Sequence, residues 1–120
     1  PVLFLSGIQH IAEIPDGMAK QPQFVIDYLK DIPTNWDATK FITGFPGKDV
    51  IMARQKDDVW LIVGINGENN PKEFEIDLSF ISKDGFIISE NEKGFIHNKI
   101  TPNATIIVKM KPYGGFVMKF

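Results

Sequence analysis

From residue 37 to the C-terminus the apolar residues recur in short runs separated by turn signals, and no stretch of helical pattern interrupts them. That spacing restricts the chain to antiparallel β architecture, because parallel strands need crossover connections of about a dozen residues or more. The runs are Thr39 to Thr43, Asp49 to Gln55, Val59 to Ile65, Phe74 to Phe80, Phe86 to Ser89, Ile96 to Ile100, Thr105 to Met110 and Phe116 to Phe120. Phe74-Glu75-Ile76-Asp77-Leu78-Ser79-Phe80 alternates apolar and polar, as a strand with one buried face does. Val59 to Ile65 is almost continuously apolar, which marks a central strand, and Gly64 within it marks a bulge or a close packing contact. Gly44-Phe45-Pro46-Gly47, Lys56-Asp57-Asp58 and the run from Asn66 to Pro71 provide turns. The predicted fold is all-β: an antiparallel two-sheet sandwich of about eight strands with Greek-key connections, preceded by one or two short helices. Trp60 is expected in its core, on a strand that pairs with Val50 to Gln55.

Ahead of this region the period is helical. Phe4, Ile8, Ile11 and Ala12 share one face with Leu5 beside them, which predicts a helix from Val2 to Glu13 ended by Pro15-Asp16-Gly17. A second helix is predicted from Gln21 to Lys30, with Pro22 in its first turn and an apolar stripe of Phe24, Val25, Tyr28 and Leu29. The chain thus divides into a helical segment, residues 1–32, and a β-sandwich, residues 33–120. Apolar residues nearly encircle the first turn of the first helix. Such a helix packs on the domain's own sheet, or is the last helix of a preceding domain; left unpartnered, it invites self-association.

With 120 residues there is room for one core. A hydrophobic content of 43% with 23% charge is that of a folded globular chain, which argues against disorder. The 13 basic and 15 acidic residues are scattered, with no basic block, so nucleic acid is not an expected partner. The absence of cysteine rules out disulfides, thiolate metal sites and cysteine nucleophiles. No run approaches the roughly 20 apolar residues that span a bilayer, so no membrane contact is expected. The opening Pro1-Val2-Leu3-Phe4 has neither an initiator Met nor a signal-peptide pattern, and is expected to lie inside a longer polypeptide.

Candidate chemistry is sparse. His10 and His97 lie far apart and outside any metal-ligand spacing. Ser6, Ser79, Ser82 and Ser89 lack a nucleophile elbow. Lys83-Asp84-Gly85 and Lys56-Asp57-Asp58 fall short of a calcium loop, and Gly114-Gly115 precedes a strand, not a phosphate-binding helix. No catalytic, cofactor-binding or metal-binding residue is therefore assigned. Trp36, in the loop before the first strand, and Tyr113 are the candidate sugar-stacking or interdomain contacts.

Several runs resemble the C-terminal domain of glycoside hydrolase family 97, the α-glucosidase and α-galactosidase family. Pro33-Thr34-Asn35-Trp36-Asp37-Ala38-Thr39 looks like that family's Pro-Thr-x-Trp-Asp-x-Thr stretch. Asp49 to Lys56 followed by Trp60 is similar to its Val-Ala-Arg-Arg-Lys hairpin, although Gln55 stands where a second Arg is usual. Phe74 to Ile81 resembles its Leu-Ser-Phe-Leu strand, and Pro112-Tyr113-Gly114-Gly115-Phe116 its terminal Pro-x-Gly-Gly-Phe. The resemblance implies a non-catalytic accessory domain that packs on and stabilises a (β/α)8 barrel, whose last helix would be Leu3 to Ile14; a carbohydrate-binding module is the alternative. It further implies that catalytic carboxylates and any calcium belong to other domains, with no cofactor in this segment. The barrel of the same polypeptide is the implied partner, weak oligosaccharide contact and self-association through the first helix are secondary ones, and the location is periplasmic or otherwise exported in a Gram-negative bacterium.

Overall fold

The computed structural model describes residues 1–6, 8 and 10–120. Two short helices, α1 (Pro15–Met18) and α2 (Gln23–Lys30), precede eight strands. These are β1 (Ala38–Phe45), β2 (Asp49–Lys56), β3 (Val59–Asn66), β4 (Lys72–Asp77), β5 (Gly85–Asn91), β6 (Gly94–Ile100), β7 (Thr105–Met110) and β8 (Gly115–Lys119). Six strands form one sheet in the order β1-β2-β3-β8-β5-β6, and β4 and β7 form the second. Every pairing is antiparallel. The chain leaves the large sheet after β3, returns for β5 and β6, leaves again for β7, and comes back to insert β8 between β3 and β5.

The large sheet is buried on both faces. Ile51, Ala53, Ile62, Phe116 and Met118 on one face meet Ile76 and Val108 of the small sheet in the main core. On the other face Leu61, Val63 and Ile88 meet Val2 and Tyr28, with Phe24, Leu29 and Ile32 of the helical region packed alongside. This three-layer arrangement explains why β3 reads as a continuous apolar run. Gly64 marks a close contact and no bulge, for its pairing to both neighbours is regular. The bulge lies in β1, between Phe41 and Thr43.

The predicted first helix does not form. The described residues before Pro15 carry no helix, and Gly7 and Gln9 of that stretch lie outside the described residues. Instead Val2 folds back onto the large sheet and is buried, while Phe4, Leu5, Ile8 and Ile11 are exposed. The physical reason is local. Helices shorter than about 12–15 residues are marginal without a packing surface, and the guanidinium of Arg54 donates to the carbonyls of Val2 and Leu3. Pro15, expected to end a helix, opens α1, where its missing N–H costs nothing. The run Phe74 to Phe80 stays extended only to Asp77; the Asp77 carboxylate then accepts the Ser79 N–H (2.8 Å), and Leu78 donates to the Ala104 carbonyl (2.9 Å). Trp60 pairs with Gln55 as expected but is only half-buried, with its ring edge-on to Phe80 at 5.0 Å.

The β2–β3 hairpin is closed by Asp57 in the left-handed region (φ 51°). Asp37 clamps this turn, accepting the Asp57 N–H at 2.8 Å and the Lys56 ammonium at 3.0 Å. Those bonds, the backbone one foremost, hold the Asp37 carboxyl below the usual carboxylate range. A depressed carboxyl contributes stability above its unfolded value of about 4, and that contribution disappears as pH falls through the lower folded value. Thermal melts from neutral to acid pH should therefore show a loss of stability below about pH 4 that is shallower in Asp37→Asn. Equal slopes in the two proteins would remove the clamp from the account.

Candidate interaction surface

The α2 side of the large sheet is where chain, helix and sheet converge. The stripe Phe24, Tyr28, Leu29 seats α2 against Leu61, Val63 and Ile88. At its C-terminal end Asp31 receives the Lys119 ammonium of β8 (2.9 Å), and near its start Phe24 stacks on His97 (5.2 Å), which also meets Phe86 edge-on (4.7 Å). His97 is thus a packing residue that fastens the helix to β5 and β6.

Across the same face runs the segment Pro1 to Phe4, held by Arg54. This arginine is 6% exposed, and its fork donates to the carbonyls of Val2 and Leu3 and to the Thr39 hydroxyl. Two apolar clefts adjoin the segment, and both are bordered by Phe4 and Ile65. One, of about 480 Å³, lies towards α2 and is bordered by Pro1, Val25, Tyr28, Val63, Phe95 and Tyr113. The other, of about 510 Å³, lies towards the β1 edge and is bordered by Phe4, Phe41, Phe45, Val50 and Ile65.

Tyr113 stands at the rim of the first cleft, 69% exposed, with φ at 54°. A left-handed tyrosine is uncommon and needs support. It comes from the turn after β3: the Tyr113 N–H donates to the Glu68 carbonyl (3.1 Å), and buried Asn66 donates through Nδ2 to the Asn70 and Lys111 carbonyls (2.7 and 2.9 Å). The Asn-rich turn is therefore the scaffold of the Tyr113 loop. Trp36 is not at this rim. It is half-buried in the α2-side core, its indole N–H enclosed and, among the described residues, unpartnered. The Tyr28 hydroxyl shares that condition, and burial pushes it above the usual tyrosine range.

The polar candidates are dispersed. Asp84 pairs with Lys99 (2.9 Å), Asp58 approaches Lys83 at 3.7 Å, and His10 is exposed. Among the described residues no three His, Asp or Glu side chains gather around a common point. Sequence reasoning missed Arg54 and Asn66: Arg54 sits in the polar second half of β2 and Asn66 ends β3 at a turn, and neither setting signals a buried role.

The architecture is that of an antiparallel two-sheet β-sandwich whose large sheet carries the helical region on its outer face. Residues 35–120 match the family described as glycosyl-hydrolase 97 C-terminal, oligomerisation, and the chain belongs to that family, which is not the catalytic domain of these enzymes. A retaining alpha-galactosidase from Bacteroides thetaiotaomicron is 25% identical over 98% of the chain and 19% of its own length. A probable retaining alpha-galactosidase from Streptomyces bingchenggensis is 35% identical over 52% of the chain and 10% of its own length. Among solved structures, a beta-arabinopyranosidase is 29% identical with a TM-score of 0.82, covering 94% of this chain and 19% of its own. A glycoside hydrolase family 97 enzyme from a Pseudoalteromonas species, in complex with panose, shares the fold with a TM-score of 0.87 at 20% identity, over 99% of this chain and 21% of its own. The chain spans about a fifth of the relatives that it matches over nearly all its length.

Proposed function

We propose that this chain is the accessory domain of a glycoside hydrolase acting on α-galactosides or α-glucosides, and that it packs on the catalytic (β/α)8 barrel and stabilises it. Export to the periplasm of a Gram-negative bacterium goes with that reading, as does the assignment of any calcium to the other domains. The single observation that carries the proposal is the cleft beside α2. It is apolar, it is bordered by Pro1, and its rim holds exposed Tyr113 and Phe95. In the longer relatives a C-terminal domain follows the rest of the polypeptide, so the preceding domain would approach from the Pro1 side. The left-handed Tyr113 is held in place before any partner arrives, which lowers the ordering cost of docking.

In the polypeptide that carries both domains, Tyr113→Asp and Phe95→Asp are expected to lower the melting temperature of the barrel by several degrees while leaving KM unchanged. A barrel that melts as before in both variants would falsify the docking assignment. Saturable binding of maltooligosaccharides that disappears in Tyr113→Asp would instead turn the reading to carbohydrate binding.

A further inference from the structure

We propose that the cleft on the β1 edge is the contact through which two copies of this chain pair, an inference that rests on the oligomerisation role of the family and assigns it a surface. Three phenyl rings project there into solvent: Phe4 is 74% exposed, Phe41 60% and Phe45 63%. A buried aromatic side chain covers about 150–250 Å², so these rings offer roughly 300–500 Å². That is about half of the ~800 Å² per partner that a stable dimer buries. Beside the rings lies the cleft of about 510 Å³, floored by Val50 and Ile65. Projections and a recess on one patch are what a two-fold contact requires, since each copy then seats its rings in the other's recess.

The edge is shaped for side-chain packing and against strand addition. The bulge between Phe41 and Thr43 breaks the ladder of β1, and such bulges blunt an edge. Gly44 (φ 145°) carries the strand onward, and there a Cβ would come within 2.7 Å of the Val50 Cα. The turn then ends the edge at Pro46. Lys48 places its ammonium 5.3 Å from the Phe45 ring centroid, a single charge at the border of the patch. The other cleft shares Phe4 and Ile65 with this one but extends towards α2, whereas Phe41, Phe45 and Val50 border the β1-edge cleft alone.

Sedimentation velocity on the 120-residue chain across a concentration series tests the assignment. The unaltered chain should dimerise, and Phe41→Asp and Phe45→Asp should each weaken the dimer at least tenfold with unaltered circular-dichroism melts, because both rings are exposed. Tyr113→Asp and Phe95→Asp should leave the dimer intact. A dimer that survives both phenylalanine substitutions overturns the surface and leaves the family role standing. Loss of the dimer in the Tyr113 or Phe95 variants would move the contact to the α2-side cleft and set pairing against the barrel docking proposed there. A chain that stays monomeric at every concentration overturns pairing by this domain and leaves the barrel docking untouched.

Discussion

Arg54→Ala is expected to destabilise the domain by about 3 kcal/mol and to release its N-terminal segment. Arg54 lies on β2 opposite Leu61, facing the α2-side core, and among the described residues no carboxylate accompanies it. Its charge is instead satisfied by carbonyls and a hydroxyl, two of those acceptors being the backbone of Val2 and Leu3. Hydrogen bonds to a charged group contribute ~1.5–3 kcal/mol each and are not additive, so the fork is counted once, as a unit. Removing it strands the Val2 carbonyl beside a buried valine and leaves space where the long side chain packed. Arg54→Lys should recover only part of the loss, since a single ammonium cannot reach three acceptors in a planar fork. The measurement is the urea midpoint at unchanged slope, with limited proteolysis between residues 5 and 14 as the local readout. Deletion of residues 1–4 should also destabilise the domain, because it takes buried Val2 out of the α2-side core and removes both backbone acceptors of the guanidinium. If Arg54→Ala shifts the midpoint no more than truncation of an exposed lysine such as Lys83, the strap is incidental.

The strap also marks the limit of what the sequence reveals. The strands were legible because each local signal agreed with the final fold: period-two alternation, turn residues at regular spacing, and an apolar run where a strand is covered twice. α2 was legible for the same reason, its stripe being the face that packs. The segment before Pro15 carries an equally clear helical stripe and does not become a helix. Periodicity reports the surface that a helix would bury, not whether such a surface is present. Here the deciding interaction joins residues 2 and 54, separated by 52 positions, and nothing in either neighbourhood announces it. The candidate aromatics divide along the same line. Tyr113 is displayed by a loop whose geometry depends on Asn66, while Trp36, in a stretch that reads as a plain connector, is half-buried by the helical region packed over the sheet. Trp60 shows the opposite error, an aromatic in a core strand that sits close enough to the sheet's end to remain half-exposed.

Gly64→Ala should destabilise the domain by about 2–3 kcal/mol, although the usual effect of that change in a strand runs the other way. Glycine in a strand interior costs about 0.5–1 kcal/mol relative to alanine through lost backbone freedom, so an unobstructed position would gain stability. Gly64 is obstructed. It pairs with Ile51 on one side and Phe116 on the other, and both side chains belong to the main core. A Cβ there would overlap the Cε1 of Phe116 and lie 3.0 Å from its Cζ and 3.1 Å from the Cγ1 of Ile51. The phenyl ring cannot swing aside, because Phe116 is itself buried beneath the small sheet. Phe116→Leu alone should also destabilise, by opening a cavity. Combined, the two changes should cost less than their sum by at least about 1 kcal/mol, since the smaller side chain vacates the space that the new methyl needs. Thermal or urea melts of the four proteins in this cycle give the coupling directly. A neutral or stabilising Gly64→Ala, or strict additivity with Phe116→Leu, would mean that β3 and β8 shift apart to accept a methyl group, and that Gly64 does not set the spacing between those strands and the core.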